Sequence, residues 1–344
     1  MKKAKFLALL MAVAIIFSIF SGCSKNAEVK KPEEKTQVKE TVSDAEKDEE
    51  ESKYNVKVND SDVTFTDDRG QEVTIKKNPK RVVCLYNSYL DIWDKCGGTV
   101  IGRVQEAEEK PVENAVAAEE VGTSSAPSLE KILALQPDLV IMTSAYKAQK
   151  EMISTLEQSN IQVISLKNEF KKDYFETVKL FTAITGKDDL YEKNAKTIKN
   201  GIDDIVAKAP KDKNYKALIL FASAKNLTVR DSNTMVGEML KDLNVVNIAD
   251  SEDKSADTKT FSMEKIIQED PDFIFVQTMG SDKEKIMERL KQDAEDNPAW
   301  ASLKAVKEGR YVILPKDLYM YKPNDRYAEA YEGLAKILYP EVFK

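Results

Sequence analysis

The chain has 344 residues, of which 59 are acidic and 52 basic, for a net charge of −7. It holds three cysteines and no histidine. Without imidazole there is no Ser–His or Cys–His nucleophile pair, and a bare zinc or manganese site, or the commonest haem ligation, loses its usual donor.

Residues 1–22 read as a targeting segment. Lys2, Lys3 and Lys5 precede an apolar run from Phe6 to Phe20, too short and wrongly flanked for a membrane span. The run closes on Ser21-Gly22-Cys23, which resembles the lipobox of bacterial lipoproteins, although Phe20 stands where Leu is usual. That likeness implies cleavage before Cys23, lipidation of its thiol and attachment to the outer face of the cytoplasmic membrane. An ordinary signal peptide or uncleaved anchor is the alternative. Residues 23–60 then form a spacer. Positions 24–60 hold eight Lys, eleven Asp or Glu and one aromatic, too little apolar surface to repay the entropy of ordering.

The folded part is expected from residue 61, with an N-terminal lobe over 61–186. Residues 63–66 and 73–75 flank Asp67-Asp68-Arg69-Gly70, a hairpin signal. A strand over 81–85, a helix over 89–94 and a turn at Gly97-Gly98 follow. Residues 97–102 lack a following Gly-Lys and are no phosphate loop. Cys84 and Cys96 are a disulfide pair or two small buried hydrophobes. A strand at 161–166 completes the lobe. From 174 to 209 the pattern is helical except at Gly186, and 187–210 reads as a helix bridging to a second lobe, closed by Pro210. That lobe, 211–344, offers strands at 217–221, 245–248 and 311–314, a helix over 233–240 and a last amphipathic helix over 324–338. Strands alternating with helices argue for parallel sheets.

One pattern occurs twice. Ser128, Glu130, Lys131, Ile132, Pro137 and Asp138 recur, in order and spacing, as Ser262, Glu264, Lys265, Ile266, Pro271 and Asp272, 134 positions on. Each copy reads as a short helix feeding a buried strand. The serine is an N-cap, the glutamate sits at the positive end of the helix dipole, and the proline ends the helix at the residue before it. A unit repeated once suggests two lobes of one design.

These motifs together identify a resemblance. Asp67-Asp68-Arg69-Gly70, Pro79-Lys80-Arg81-Val82-Val83, the twin segments and Trp300-Leu303-Ala305-Val306 resemble the substrate-binding lipoproteins of bacterial ABC importers for iron siderophores, cobalamin and haem. The resemblance spans residues 61–344. It implies an α/β fold of two Rossmann-like lobes with parallel sheets bridged by a single long α-helix, with little closure on ligand. It also implies no enzymatic activity, a monomer without nucleic-acid partners, and delivery to a permease dimer driven by its ATPase. Glu130 and Glu264 then match the carboxylates that dock on permease arginines, though capping alone also explains them.

Ligands of such sheets sit beyond the carboxyl ends of the strands. Those loops supply Tyr86, Asn87, Ser88, Tyr89, Thr143, Ser144, Tyr146 and Lys147 from the first lobe. The second supplies Ser223, Lys225, Arg230, Thr278 and Met279, then Lys316, Tyr319, Met320, Tyr321, Lys322 and Arg326. A set rich in Tyr, Lys and Arg suits a bulky anionic iron chelate of the ferric-siderophore type. The alternatives are cobalamin or haem in the same cleft, or an extracellular enzyme or adhesin on the same lobes. No resident cofactor is expected.

Overall fold

The computed structural model describes residues 54–106, 110–250 and 262–344. The targeting segment, Cys23 and the spacer up to residue 53 lie outside them. The fold starts earlier than residue 61. Tyr54, the single aromatic of the charged stretch, is fully buried, and its hydroxyl donates to the Lys167 carbonyl at 3.2 Å. One buried ring ties down a segment whose composition otherwise reads as solvated.

β1 (Lys57–Val58), β2 (Asp62–Thr66) and β3 (Glu72–Lys76) form a three-stranded antiparallel sheet. Its turn uses the positive φ of Gly70, +73°, and the Asp67 carboxylate accepts from the Arg69 amide at 2.9 Å. The first lobe continues with β4 (Val82–Cys84), α1 (Asn87–Lys95), β5 (Gly102–Arg103), β6 (Glu119–Glu120), the hairpin of β7 (Gly122–Thr123) and β8 (Ala126–Pro127), α2 (Leu129–Ala134), β9 (Leu139–Thr143), α3 (Lys147–Gln158) and β10 (Gln162–Leu166). Its main sheet is parallel throughout, in the order β10-β9-β4-β5-β6.

α4 (Lys171–Thr185) ends on Gly186 at φ +66°. Beyond it α5 (Asp188–Tyr191), a π-helical turn (Glu192–Lys196) and α6 (Thr197–Lys208) run on without a break in helical dihedrals. They make one rod of about 30 Å at 1.5 Å per residue. The second lobe holds β11 (Lys216–Ser223), β12 (Leu227–Arg230), α7 (Met235–Asp242), β13 (Val246–Asn247), α8 (Met263–Glu269), β14 (Phe273–Met279), α9 (Lys283–Leu290), α10 (Lys304–Lys307), β15 (Tyr311–Ile313), α11 (Lys316–Tyr319) and α12 (Tyr327–Leu338). Its sheet is parallel except for β12, which runs antiparallel along the edge of β11.

The repeated sequence gives a repeated topology. In the first lobe β9 lies between β10 and β4, with β5 beyond; in the second β14 lies between β15 and β11, with β13 beyond. Ser128 accepts from the Lys131 amide and Ser262 from the Lys265 amide. The residues before the two prolines, Gln136 and Asp270, take φ of +46° and +42° and end their helices. The aspartates do the same work twice. Asp138 accepts from the amides of Lys80 and Arg81 at 2.7 and 2.9 Å, entering β4, and Asp272 accepts from the Lys216 amide at 2.8 Å, entering β11.

β9 is buried at all five positions, so its apolar run does not alternate. One face of each sheet packs on its own helices: Val83, Val140 and Val163 with Ile132, and Leu218, Ile274 and Val276 with Ile266. The other faces share a single core. Cys84, Ile141, Ile219 and Phe275 all join Tyr174, Phe181, Ile202, Tyr327 and Leu334 of α4, α6 and α12. A continuous apolar layer between lobes resists hinge motion more than a polar domain contact does. Cys84 and Cys96 are buried within it as unlinked thiols.

Candidate functional site

A cavity of about 270 Å³ lies between the lobes. The first lobe contributes Tyr86, Asn87, Ser88 and Asp91 from the β4 end and α1, Lys110, Ser124, and Tyr146 from the β9 end. The second contributes Met279 from β14, and Met320, Tyr321 and Lys322 from the segment after α11. The carboxyl ends of β4, β9 and β14 therefore converge on one space.

Its walls are aromatic and its floor is charged. The Tyr86 ring lies 6.4 Å from that of Tyr146 and 5.1 Å from that of Tyr89, and burial pushes the Tyr86 phenol up to about 12, so it stays protonated. Asn87 donates to the Gln105 carbonyl at 3.0 Å, while its buried Oδ1 has no protein donor. Lys110 lies 3.2 Å from the Asp91 carboxylate and donates to the Lys322 carbonyl at 2.6 Å. The Lys322 ammonium donates to the Glu169 carbonyl at 2.6 Å. Burial pushes its pKa down to about 8, against the pull of Asp173, Glu169 and Glu238.

Beneath the cavity a polar chain joins the lobes. Asn168 donates to the Ser88 hydroxyl at 3.0 Å, which donates to Asn324 Oδ1 at 3.0 Å; Asn324 Nδ2 donates to Asp91 at 2.6 Å. Asn324 is 1% exposed and holds φ +53°. Asn324→Ala removes hydrogen bonds to the Ser88 hydroxyl, the Ser88 carbonyl and Asp91, of which Asp91 keeps Lys110, and is expected to cost about 2–4 kcal/mol of unfolding free energy. Urea unfolding at pH 7 measures it, and a loss below about 1 kcal/mol would show that the chain contributes nothing special.

Of the residues that the sequence placed beyond the strand ends, Tyr86, Asn87, Ser88, Tyr146, Met279, Met320, Tyr321 and Lys322 are brought together here. Ser88 is committed to the polar chain on both sides. Tyr319 is corrected: it is 3% exposed, with its hydroxyl on the Ala330 carbonyl, because α11 turns it into the core. Arg326 does not line the cavity, and its guanidinium is held by Glu329 and Asp317 at 2.7 Å each. Lys147 opens α3 in solvent beside Glu151. Lys225 is exposed in the β11–β12 turn, and Arg230 stacks 4.2 Å over Phe221 on the edge strand. Neither lines the cavity. Lys316 reaches the Gly280 carbonyl at 3.0 Å, beside the cavity rather than in its wall. Asp91, Lys110 and Ser124 were missed. Asp91 carried a signal: a carboxylate one turn after Ser88, among the buried Leu90, Ile92 and Trp93.

Glu130 and Glu264 sit in different lobes, both exposed, and among the described residues no basic side chain pairs with either. Each opens a short helix that leads back into its strand, so connectivity turns both toward the carboxyl ends of the sheets.

The sequence profile of the periplasmic binding protein family matches residues 82–318. The chain belongs to that family. It is a solute-binding transport component, not an enzyme. The Fe(3+)-citrate-binding protein YfmC of Bacillus subtilis is 29% identical over 262 residues, covering 73% of this chain and 78% of that protein. The ABC transporter substrate-binding lipoprotein YvrC of the same organism is 27% identical over 308 residues, covering 86% of this chain and 92% of the relative. The crystal structure of the petrobactin-binding protein YclQ from Bacillus subtilis aligns with a TM-score of 0.65 at 20% identity, over 83% of this chain and all of that one. That structure shares the two-lobed α/β fold of the periplasmic binding proteins. Among the described residues no helix is long and apolar enough to cross a membrane.

Proposed function

We propose that the chain is the extracytoplasmic receptor of an ABC importer for an anionic iron chelate, held between the lobes and handed to the permease. One observation carries the reading: a cavity walled by phenols from both lobes, with two ammonium groups in its lining. Phenols give flat contact with polar tips. An ammonium whose pKa burial lowers, such as that of Lys322, gains from an anion that stabilises its charged form. The ferric-citrate and petrobactin receptors to which the chain is similar bind ligands of this class. Cys23 is the proposed lipid anchor, residues 24–53 the spacer, and Glu130 with Glu264 the docking pair.

Calorimetric titration with ferric citrate, a ferric hydroxamate, a ferric catecholate, haem and cobalamin tests it. One ferric chelate is expected to bind one-to-one, well below micromolar. Preference for haem would favour a second reading, which rests on Met279 and Met320 lining the cavity with the phenols. Failure of every ligand would end the receptor reading.

The pH dependence has a definite sign. Lys322 is charged below about 8 and neutral above. A bound anion favours the charged form, so affinity should fall as pH rises from 8 toward 10, by up to about tenfold per unit. The unliganded fold should gain stability over the same window, because its depressed lysine pKa penalises the protonated state. Affinity flat from pH 7 to 10 would contradict the role given to Lys322.

A further inference from the structure

A second cavity, of about 500 Å³, opens in the C-terminal lobe at the carboxyl ends of β14 and β15. Its size falls within the range of small-molecule sites, roughly 300–1,000 Å³. Its apolar lining is Ile286, Met287, Ile313 and Leu314, and the charged Lys283, Lys316 and Asp317 line it as well. Met287 and Ile313 are 38% and 45% exposed. With Met279, at 53%, they make three of the eight large hydrophobic side chains exposed among the described residues. Such clustering of apolar surface marks a binding region rather than scattered surface residues.

This cavity and the interlobe cleft lie on opposite faces of the second-lobe sheet and meet at the carboxyl end of β14: Thr278 and Gly280 line the one and Met279 between them the other, as alternation along a strand dictates. Lys316 spans the partition, donating to the Gly280 carbonyl at 3.0 Å and lying 5.6 Å over the Tyr321 ring. An arm leaving the cleft would pass over the end of β14, at Met279 and Gly280, to enter this cavity. We propose that this cavity receives an apolar acyl or aryl arm of the chelate, so that the ligand is amphiphilic: an anionic iron-binding head between the lobes and a hydrophobic tail in the second lobe. The proposal rests on the chelate reading above and adds the chemical class of its substituent.

The test uses the full folded chain, a matched pair of ferric hydroxamates with and without an eight-carbon acyl arm, and the uncharged fluorophore N-phenyl-1-naphthylamine. The acylated chelate should bind tenfold or more tightly than its parent, since each buried methylene favours the complex. Ile313→Asp and Met287→Asp should each remove that gain and the fluorophore's emission increase, while leaving the parent chelate's affinity unchanged. Lys322→Met should weaken both chelates and leave the fluorophore untouched. Equal affinities for the pair, or fluorophore binding indifferent to Ile313→Asp, would overturn the apolar subsite while leaving the receptor reading intact. If neither hydroxamate binds, the fluorophore alone decides the apolar subsite, and the receptor reading falls only if ferric citrate and the ferric catecholate fail as well.

Discussion

Replacing Glu130 and Glu264 together by arginine is expected to abolish uptake of the chelate by whole cells while its affinity for the purified chain stays within twofold. Both carboxylates lie in the first turns of short helices, one in each lobe, exposed and without basic partners among the described residues. Neither lines the interlobe cavity. Two charges set apart on different lobes would fix orientation as well as affinity, and under the proposed docking, turning them positive puts like charge against the permease arginines. Such a juxtaposition costs several kcal/mol per site, so the pair should lower docking by at least about a thousandfold. Capping does not explain such a loss, because the N-cap hydroxyls of Ser128 and Ser262 remain in place. The variant should give up no more than about 1 kcal/mol of stability from the reversed dipole interactions. Uptake of radiolabelled iron measured beside calorimetry separates the two roles. Normal uptake would remove the docking assignment; lost chelate affinity in a folded variant would move these carboxylates into the ligand site.

Lys322→Met is expected to weaken chelate binding by about thirtyfold or more, corresponding to the 2–5 kcal/mol of a buried charge pair that loses one partner. The same change should leave thermal stability equal or raised. Lys322 holds its ammonium where burial drives the pKa down to about 8, and its protein partner at that end is a carbonyl, that of Glu169 at 2.6 Å. Removing a desolvated cation relieves the fold while depriving the ligand, the usual signature of stability yielded at a functional site. A structural lysine would give the reverse: lost stability with intact binding. Differential scanning calorimetry and titration on one preparation distinguish them.

Much of the fold was legible because the chain states it twice. Ser128, Pro137 and Asp138 carry information that Ser262, Pro271 and Asp272 repeat, and each has a local physical consequence: a cap, a helix stop, a clamp on the next strand. Those consequences survive whatever packs around them. The hidden parts were set by tertiary contact. α3 and α9 are polar surface helices with few apolar residues to mark them, such as Ile153 and Leu156 or Ile286 and Leu290, and β12 is a short edge strand whose pairing depends on its partner. Tyr54 looked like part of a solvated spacer because composition averages over the one residue that anchors it.

The site divides on the same line. Tyr86, Tyr146 and Tyr321 were legible as residues just past strand ends, where topology dictates the cleft. Tyr319 and Arg326 come from the same stretch, yet the short turn of α11 sends one into the core, and neighbouring carboxylates take the other. Lys110 reaches the cleft from a loop between β5 and β6 that no periodicity places. Loop residues need partners to define their direction, and sequence spacing alone does not supply them.

The most direct test is the position of iron. Crystals of the chain grown with its ferric chelate, measured at the iron absorption edge, should show one anomalous peak between Tyr86 and Tyr146 on one side and Tyr321 and Lys322 on the other. A peak elsewhere on the chain, or saturating chelate with no iron between the lobes, would contradict the account.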